Sequence, residues 1–134
     1  MMRLFFDTNI FLDLLMDRSF AEEAEQLIEQ VFTGRITGIV ADITLLDLAY
    51  LAGKQQRDLR DFFRLINRHF VVKGVDNRLF EQALRMESLD LEEALLYTVA
   101  LEAEADTIVS NGRRFPRREI RVFSSPRCVE ELGL

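Results

Sequence analysis

Carboxylates are the residues of this 134-residue chain best placed to do chemistry, and the first stands at an unusual point. Asp7 closes the apolar run "RLFF" and is followed at once by Thr8 and Asn9. An ionised group at the tip of a buried strand is costly to desolvate unless something compensates it, and a bound cation is one compensation. Asp47 lies within "DITLLDLAYLA", residues 42–52, one turn after Thr44, in a segment apolar nearly all round. Metal coordination, an Arg partner, or a narrow exposed stripe carrying Thr44 and Asp47 would each satisfy it. Asp90, Glu93 and Tyr97 fall at i, i+3 and i+7 of "DLEEALLYTVA" and share one helical face. Asp90 as cap and Glu93 at the third helical position also form a capping box, a purely structural use of the same pair. In "ADTIVSNGRRF" Asp106 precedes a strand that ends at Ser110, about 13 Å away at strand rise. If Asp7 marks the carboxyl end of a sheet, Asp106 belongs to the opposite edge, and Ser110 and Asn111 belong to the working end.

Short apolar segments at Leu4–Phe6, Ile36–Ala41, His69–Lys73, Thr107–Val109 and Ile120–Phe123 read as strands, and helical periodicity fills the gaps between them. Ser19 with Glu22 predicts a capping box ahead of "AEEAEQLIEQVF", and Asp42 and Asp76 are further candidate caps. Buried strands alternating with helices point to the α/β class: a three-layer α/β/α sandwich around a parallel sheet of about five strands. In such sheets ligands gather outside the carboxyl ends of the strands, where Asp7 is expected. The length fits one domain over residues 1–134.

With 49% hydrophobic and 30% charged residues the composition is that of an ordinary globular protein. The single cysteine, Cys128, excludes an internal disulfide and suits a reducing, cytoplasmic setting. No apolar run approaches the ~20 residues of a membrane span, and the N-terminus lacks the features of a secretory signal. A net charge of −6 argues against a general nucleic-acid coat, yet 15 of the 17 basic residues are Arg. Residues 112–127 hold six Arg against one Glu, and Arg suits bidentate phosphate contacts. A second Arg set, at positions 57, 60, 64 and 68 of "RDLRDFFRLINR", marks one helical face with Leu59, Phe62, Phe63 and Ile66 turned inward. That face is either a solvated surface paired with Asp58 and Asp61 or a phosphate-contacting rim.

Taken in order, these segments resemble the PIN-domain family, small metal-dependent ribonucleases that include the VapC-type toxins of toxin–antitoxin pairs. "FFDTNIFLDLL" is similar to the family's opening strand, and "ITLLDLAYL" to the segment that usually carries a Glu where this chain has Asp47. "DLEEALLYTVALEAEADTIVS" resembles the third acidic segment and its following strand, with Glu93 on the third carboxylate, and "IRVFSSPRCVEEL" the closing strand and helix. The resemblance implies that Asp7, Asp47 and Glu93 are the catalytic residues and ligands of Mg²⁺ or Mn²⁺. It places Asn9, Thr44, Asp90, Ser110, Asn111 and Arg114 around them, orienting ligands and phosphate. It implies RNA as substrate, an antitoxin protein as partner, and a homodimer, with no membrane association. Where the family usually carries a fourth acidic position, "SNGRRF" has Gly112 and Arg114. That departure implies weak cation binding and weakened activity, or an inactive PIN module that binds nucleic acid or protein. A phospho-receiver domain would want a second acid beside Asp7, and a dehalogenase-like phosphatase an Asp where Asn9 stands.

Overall fold

The computed structural model of the chain describes residues 1–87, 90–112, 115 and 118–134. Within them the order is β1 (Arg3–Phe6), α1 (Thr8–Leu15), α2 (Ala21–Phe32), β2 (Thr37–Ala41), α3 (Asp42–Lys54) and α4 (Arg60–His69). There follow β3 (Val71–Lys73), α5 (Asn77–Leu84), α6 (Leu91–Glu102), β4 (Thr107–Val109), β5 (Arg121–Phe123) and α7 (Ser125–Glu131). All neighbouring strands are parallel, in the order β3-β2-β1-β4-β5.

Alternation along each strand divides the core between the two faces of the sheet. Leu4, Phe6, Val40, Val109 and Phe123 join one cluster with residues of α1, α2, α4 and α7, including Phe11, Leu27, Ile66 and Cys128. Phe5, Ile39, Ala41, Ile108 and Val122 join the other with Leu79 of α5 and Leu96, Val99 and Ala100 of α6. These strands are apolar on both sides because helices cover both sides, which is the three-layer sandwich expected. Gly38 of β2 allows one close approach. A Cβ there would lie 2.6 Å from Val31 Cγ2 and 2.7 Å from Phe70 Cε2.

The chain runs outward from β1 through β2 to β3, then returns to place β4 on the other side of β1. A doubly wound sheet therefore reverses direction between β1 and β4, and the helices following those strands leave a crevice at their carboxyl ends. Asp7 and Ser110 each follow the last residue of one of these two strands.

Several local expectations differ from the structure. Helix α2 begins at Ala21 with Phe20 as its cap residue and no side-chain capping bond, so Ser19 and Glu22 form no capping box. The chain reaches α2 through a turn in which Asp17 has φ 48° and the Ala21 N–H bonds the Arg18 carbonyl, which places Ser19 before the cap. Asp42 is the first residue of α3 rather than its cap and makes no capping bond. As an anion in the first turn it still opposes the positive end of the helix dipole. Asp76 and Asp90 do cap α5 and α6, accepting from the N–H groups of Leu79 and Glu93. Among the described residues no helix is long and apolar enough to cross a membrane.

Candidate functional site

Asp7 is held from both sides of the reversal between β1 and β4. It is the N-cap of α1, with extended backbone (φ −71°, ψ 154°), and its Oδ1 accepts from the Thr8 N–H at 2.8 Å. Its Oδ2 accepts from the Ser110 hydroxyl at 2.6 Å, and its own N–H donates to the Val109 carbonyl at 3.0 Å. The residue is only 6% exposed. Burial raises its pKa above the ordinary 3.8, the Ser110 and Thr8 bonds pull it back, and the charge of Asp90 adds to the rise. A carboxylate desolvated this far and held, among the described residues, by two neutral donors is one that a cation would stabilise.

Helix α3 supplies Thr44 and Asp47. Thr44 is fully buried, and its hydroxyl lies 2.9 Å from that of Thr8, tying the start of α3 to the start of α1. Asp47, one turn on and half-buried, reaches the cavity between these helices and α6. It faces another acid, Glu92, whose carboxyl hydrogen bonds it. That bond, partial burial and the charges of Asp47, Asp90 and Asp7 push Glu92 up to about 7. Below neutral pH Glu92 therefore keeps its proton where it faces Asp47.

The sequence reading passed over Glu92. Two acids in one helical first turn point about 100° apart, so Glu93 and Glu92 address different neighbours, but that offset alone does not say which neighbour Glu92 meets. Asp90, Glu92 and Glu93 all line the same cavity as Asp7, Asn9 and Asp47, a volume of about 410 Å³ that Tyr50 and Leu51 also border.

Beyond β4 the chain turns back across the site. The Gly112 N–H donates to Ser110 Oγ at 3.0 Å, so the serine passes a hydrogen bond from backbone to the Asp7 carboxylate. A Cβ on Gly112 would lie 3.4 Å from Glu93 Oε1 and 3.5 Å from Asn9 Nδ2. The position of the expected fourth acid thus abuts the cavity but carries no side chain. Arg114 lies outside the described residues.

Two sequence-selected residues serve elsewhere. Asn111 Nδ2 donates to Asp13 Oδ2 at 3.0 Å and to Ser125 Oγ at 2.9 Å, while its Oδ1 accepts the Ser125 N–H. It clasps the end of β4 to α1 and α7 and is not part of the cavity lining. Tyr97 is buried, and its hydroxyl accepts from the Ile120 N–H. Along the Arg face, Arg57 donates to the Leu15 carbonyl, and Arg60 and Arg64 pair with Asp58 and Asp61. The Asp58 and Asp61 pairs are those of the solvated-face account, whereas Arg57 ties this segment to the end of α1.

The acids that line the cavity offer carboxylate oxygens, the donors that a hard divalent cation prefers. Among the described residues no three acidic side chains are yet grouped tightly enough to hold one ion.

The sequence model of one family, the PIN domain, matches residues 3–114. No curated protein matches the chain. Among solved structures, a toxin–antitoxin complex from Klebsiella pneumoniae superposes with a TM-score of 0.69 at 22% identity, over 91% of this chain and 97% of that one. VapBC2 from Rickettsia felis, bound to a DNA fragment from its promoter, has a TM-score of 0.66 at 15% identity, covering 92% and 98%. VapC20 from Mycobacterium tuberculosis, a toxin that cleaves the sarcin–ricin loop, has a TM-score of 0.65 at 16% identity, covering 88% and 98%. At these identities the likeness is one of fold.

Proposed function

The chain belongs to the PIN-domain family, and from that premise we propose that it is a Mg²⁺- or Mn²⁺-dependent endoribonuclease of toxin–antitoxin type with a weakened site. The observation that carries the proposal is the set of five carboxylates, Asp7, Asp47, Asp90, Glu92 and Glu93, around one cavity at the reversal of the sheet. Structural roles explain Asp90 as a cap, but they do not explain why Asp47 and Glu92 meet across two helices.

Asp7, Asp47 and Glu93 would hold the cation, which supplies a lowered pKa for attacking water and neutralises charge on the phosphate. Ser110 and the Thr8 N–H fix the Asp7 carboxylate by its two oxygens. Asp90 fixes the first turn of α6 through the Glu93 N–H. Glu92, near neutral in pKa, can exchange a proton with water at the cavity. Asn9 and Leu12 line the cavity beside the acids.

The weakening is supported by Gly112, which leaves the expected fourth carboxylate absent beside Glu93. An antitoxin partner is supported by the toxin–antitoxin complexes of the same fold. A homodimer is supported by Phe80 and Leu84, exposed apolar residues one turn apart on α5, and a cytoplasmic setting by the free thiol of Cys128.

The deciding experiment is cleavage of total RNA with and without Mg²⁺ or Mn²⁺, with Asp7→Asn as control. Slow, cation-dependent cleavage lost in Asp7→Asn supports the proposal. Cation-independent retention of RNA without cleavage assigns the chain to the inactive binding-module class instead.

A further inference from the structure

The chain holds two tyrosines and no tryptophan, and the tyrosines sit in opposite environments. Tyr97 is 1% exposed, while Tyr50 is 63% exposed and yet borders the acidic cavity. On α3, Asp47, Tyr50, Leu51 and Lys54 fall at i, i+3, i+4 and i+7 and so share a face. Along that face a carboxylate, an aromatic ring and an ammonium group follow one another over about 10 Å of helix rise. The Lys54 ammonium lies over the ring, 4.7 Å from its centroid.

Beyond the Lys54 contact the ring stays largely in water beside the cavity, so it keeps apolar surface that a ligand can cover. The ligand chemistry is narrowed by what flanks it: a cation-seeking acidic cavity on one side and a lysine on the other. A nucleotide chain presents a base and phosphates in that relation. Aromatic side chains stack on bases splayed out of single strands, whereas a duplex keeps its base faces covered.

We propose that Tyr50 is a stacking platform for an unpaired nucleobase next to the phosphate bound at the acidic cavity, with Lys54 contacting a neighbouring phosphate. The inference rests on the ribonuclease reading and assigns base stacking to a residue outside the acidic set.

The absence of tryptophan makes the test direct, because tyrosine emission reports Tyr50 and the buried Tyr97 alone. Binding is measured in an Asp7→Asn background with Mg²⁺, using a short labelled RNA of mixed sequence, single-stranded and as a duplex. Tyr50→Ala is expected to weaken single-stranded binding on the order of tenfold or more and to leave duplex binding unchanged, while Tyr50→Phe binds as the parent does. Single-stranded RNA is also expected to quench tyrosine emission in the parent but not in Tyr50→Ala. Equal single-stranded affinity of Tyr50→Ala and parent overturns the stacking role while the ribonuclease reading stands. Quenching on protein concentration alone, with RNA affinity unchanged in Tyr50→Ala, assigns the ring to a protein contact and also overturns it. No RNA binding by any variant, together with no cleavage by the native chain, removes both.

Discussion

The Ser110 hydroxyl bonds Asp7 Oδ2 at 2.6 Å, joining the tips of two strands that lie side by side in the sheet but 103 residues apart in the chain. Sheet topology makes that bond possible, since β4 returns to the free side of β1 only after β2, β3 and helices α1 to α6 have been laid down. The acidic cavity is thus assembled late in the chain from groups fixed early.

Ser110→Ala removes the side-chain donor that, with the Thr8 backbone N–H, holds the Asp7 carboxylate, and leaves a desolvated oxygen without it. A hydrogen bond to a charged buried group is worth about 1.5–3 kcal/mol. We expect a loss of that size in urea unfolding at neutral pH, shrinking toward acid as Asp7 takes up a proton. A variant as stable as the parent at neutral pH contradicts this account of Asp7.

Substitutions at Asp7 itself separate its capping role from its charge. Asn caps a helix about as well as Asp and carries no desolvated charge, so Asp7→Asn is expected to match or exceed the parent in stability. Asp7→Ala removes the acceptor for both Thr8 and Ser110 and should cost about 1–3 kcal/mol. Both variants should lose cation-dependent cleavage. Equal destabilisation of the two would show that the charge, not the cap, holds the strand end.

Glu92 predicts how stability follows pH. Its ordinary value of 4.5 is raised to about 7 in the folded chain, so between those values the folded state holds a proton the unfolded state has released. The stabilisation is complete below about 4.5 and is lost as pH rises through about 7; the raised Asp7 acts in the same direction. Thermal midpoints across this window should therefore fall with rising pH, and Glu92→Gln should flatten the decline. Saturating Mg²⁺ should flatten it too, by replacing that proton with a cation. A parent whose midpoint rises from pH 5 to 7 would sink this account of Glu92.

Much of the framework was legible because it depends on local rules. Uninterrupted apolar runs between helical periods gave the parallel sheet with both faces covered, and Asp76 and Asp90 were visible as caps from their positions before the helices. Ser19 misled because capping depends on how the chain enters the helix, and the turn at Asp17 and Arg18 moved the entry to Phe20. Asn111 was legible as a residue at the working end, where its N–H bonds Asn9 Oδ1, but its side-chain contacts were not. Its place in sequence, beside Ser110, gave no sign that it turns toward α1 and α7. Glu92 was hidden because only the approach of α3 to α6 gives it a neighbour in Asp47, and no spacing within α6 encodes that approach.

Gly112 offers the sharpest test of the weakened site. Its backbone is not in the left-handed region, so a side chain there is free of backbone strain. An added Cβ would meet Ser110 Oγ at 3.3 Å, Glu93 Oε1 at 3.4 Å and Asn9 Nδ2 at 3.5 Å, tight but ordinary neighbours. An Asp at this position brings a further negative charge against Glu93 and the acids beyond it. Without divalent cations that repulsion should lower the stability of Gly112→Asp below that of the parent. With Mg²⁺ present the same charge becomes a ligand or a holder of bound water, and cation affinity depends strongly on the number of ligand charges. We expect Mg²⁺ affinity, measured by calorimetry, to rise on the order of tenfold, with a parallel gain in RNA cleavage. Arg114→Asp, at the other acidic position of the family pattern, should act in the same sense. Unchanged Mg²⁺ affinity in both variants, or fast Mg²⁺-dependent cleavage by the native chain abolished by Asp7→Asn, would mean that the carboxylates already present suffice and that Gly112 costs the site nothing.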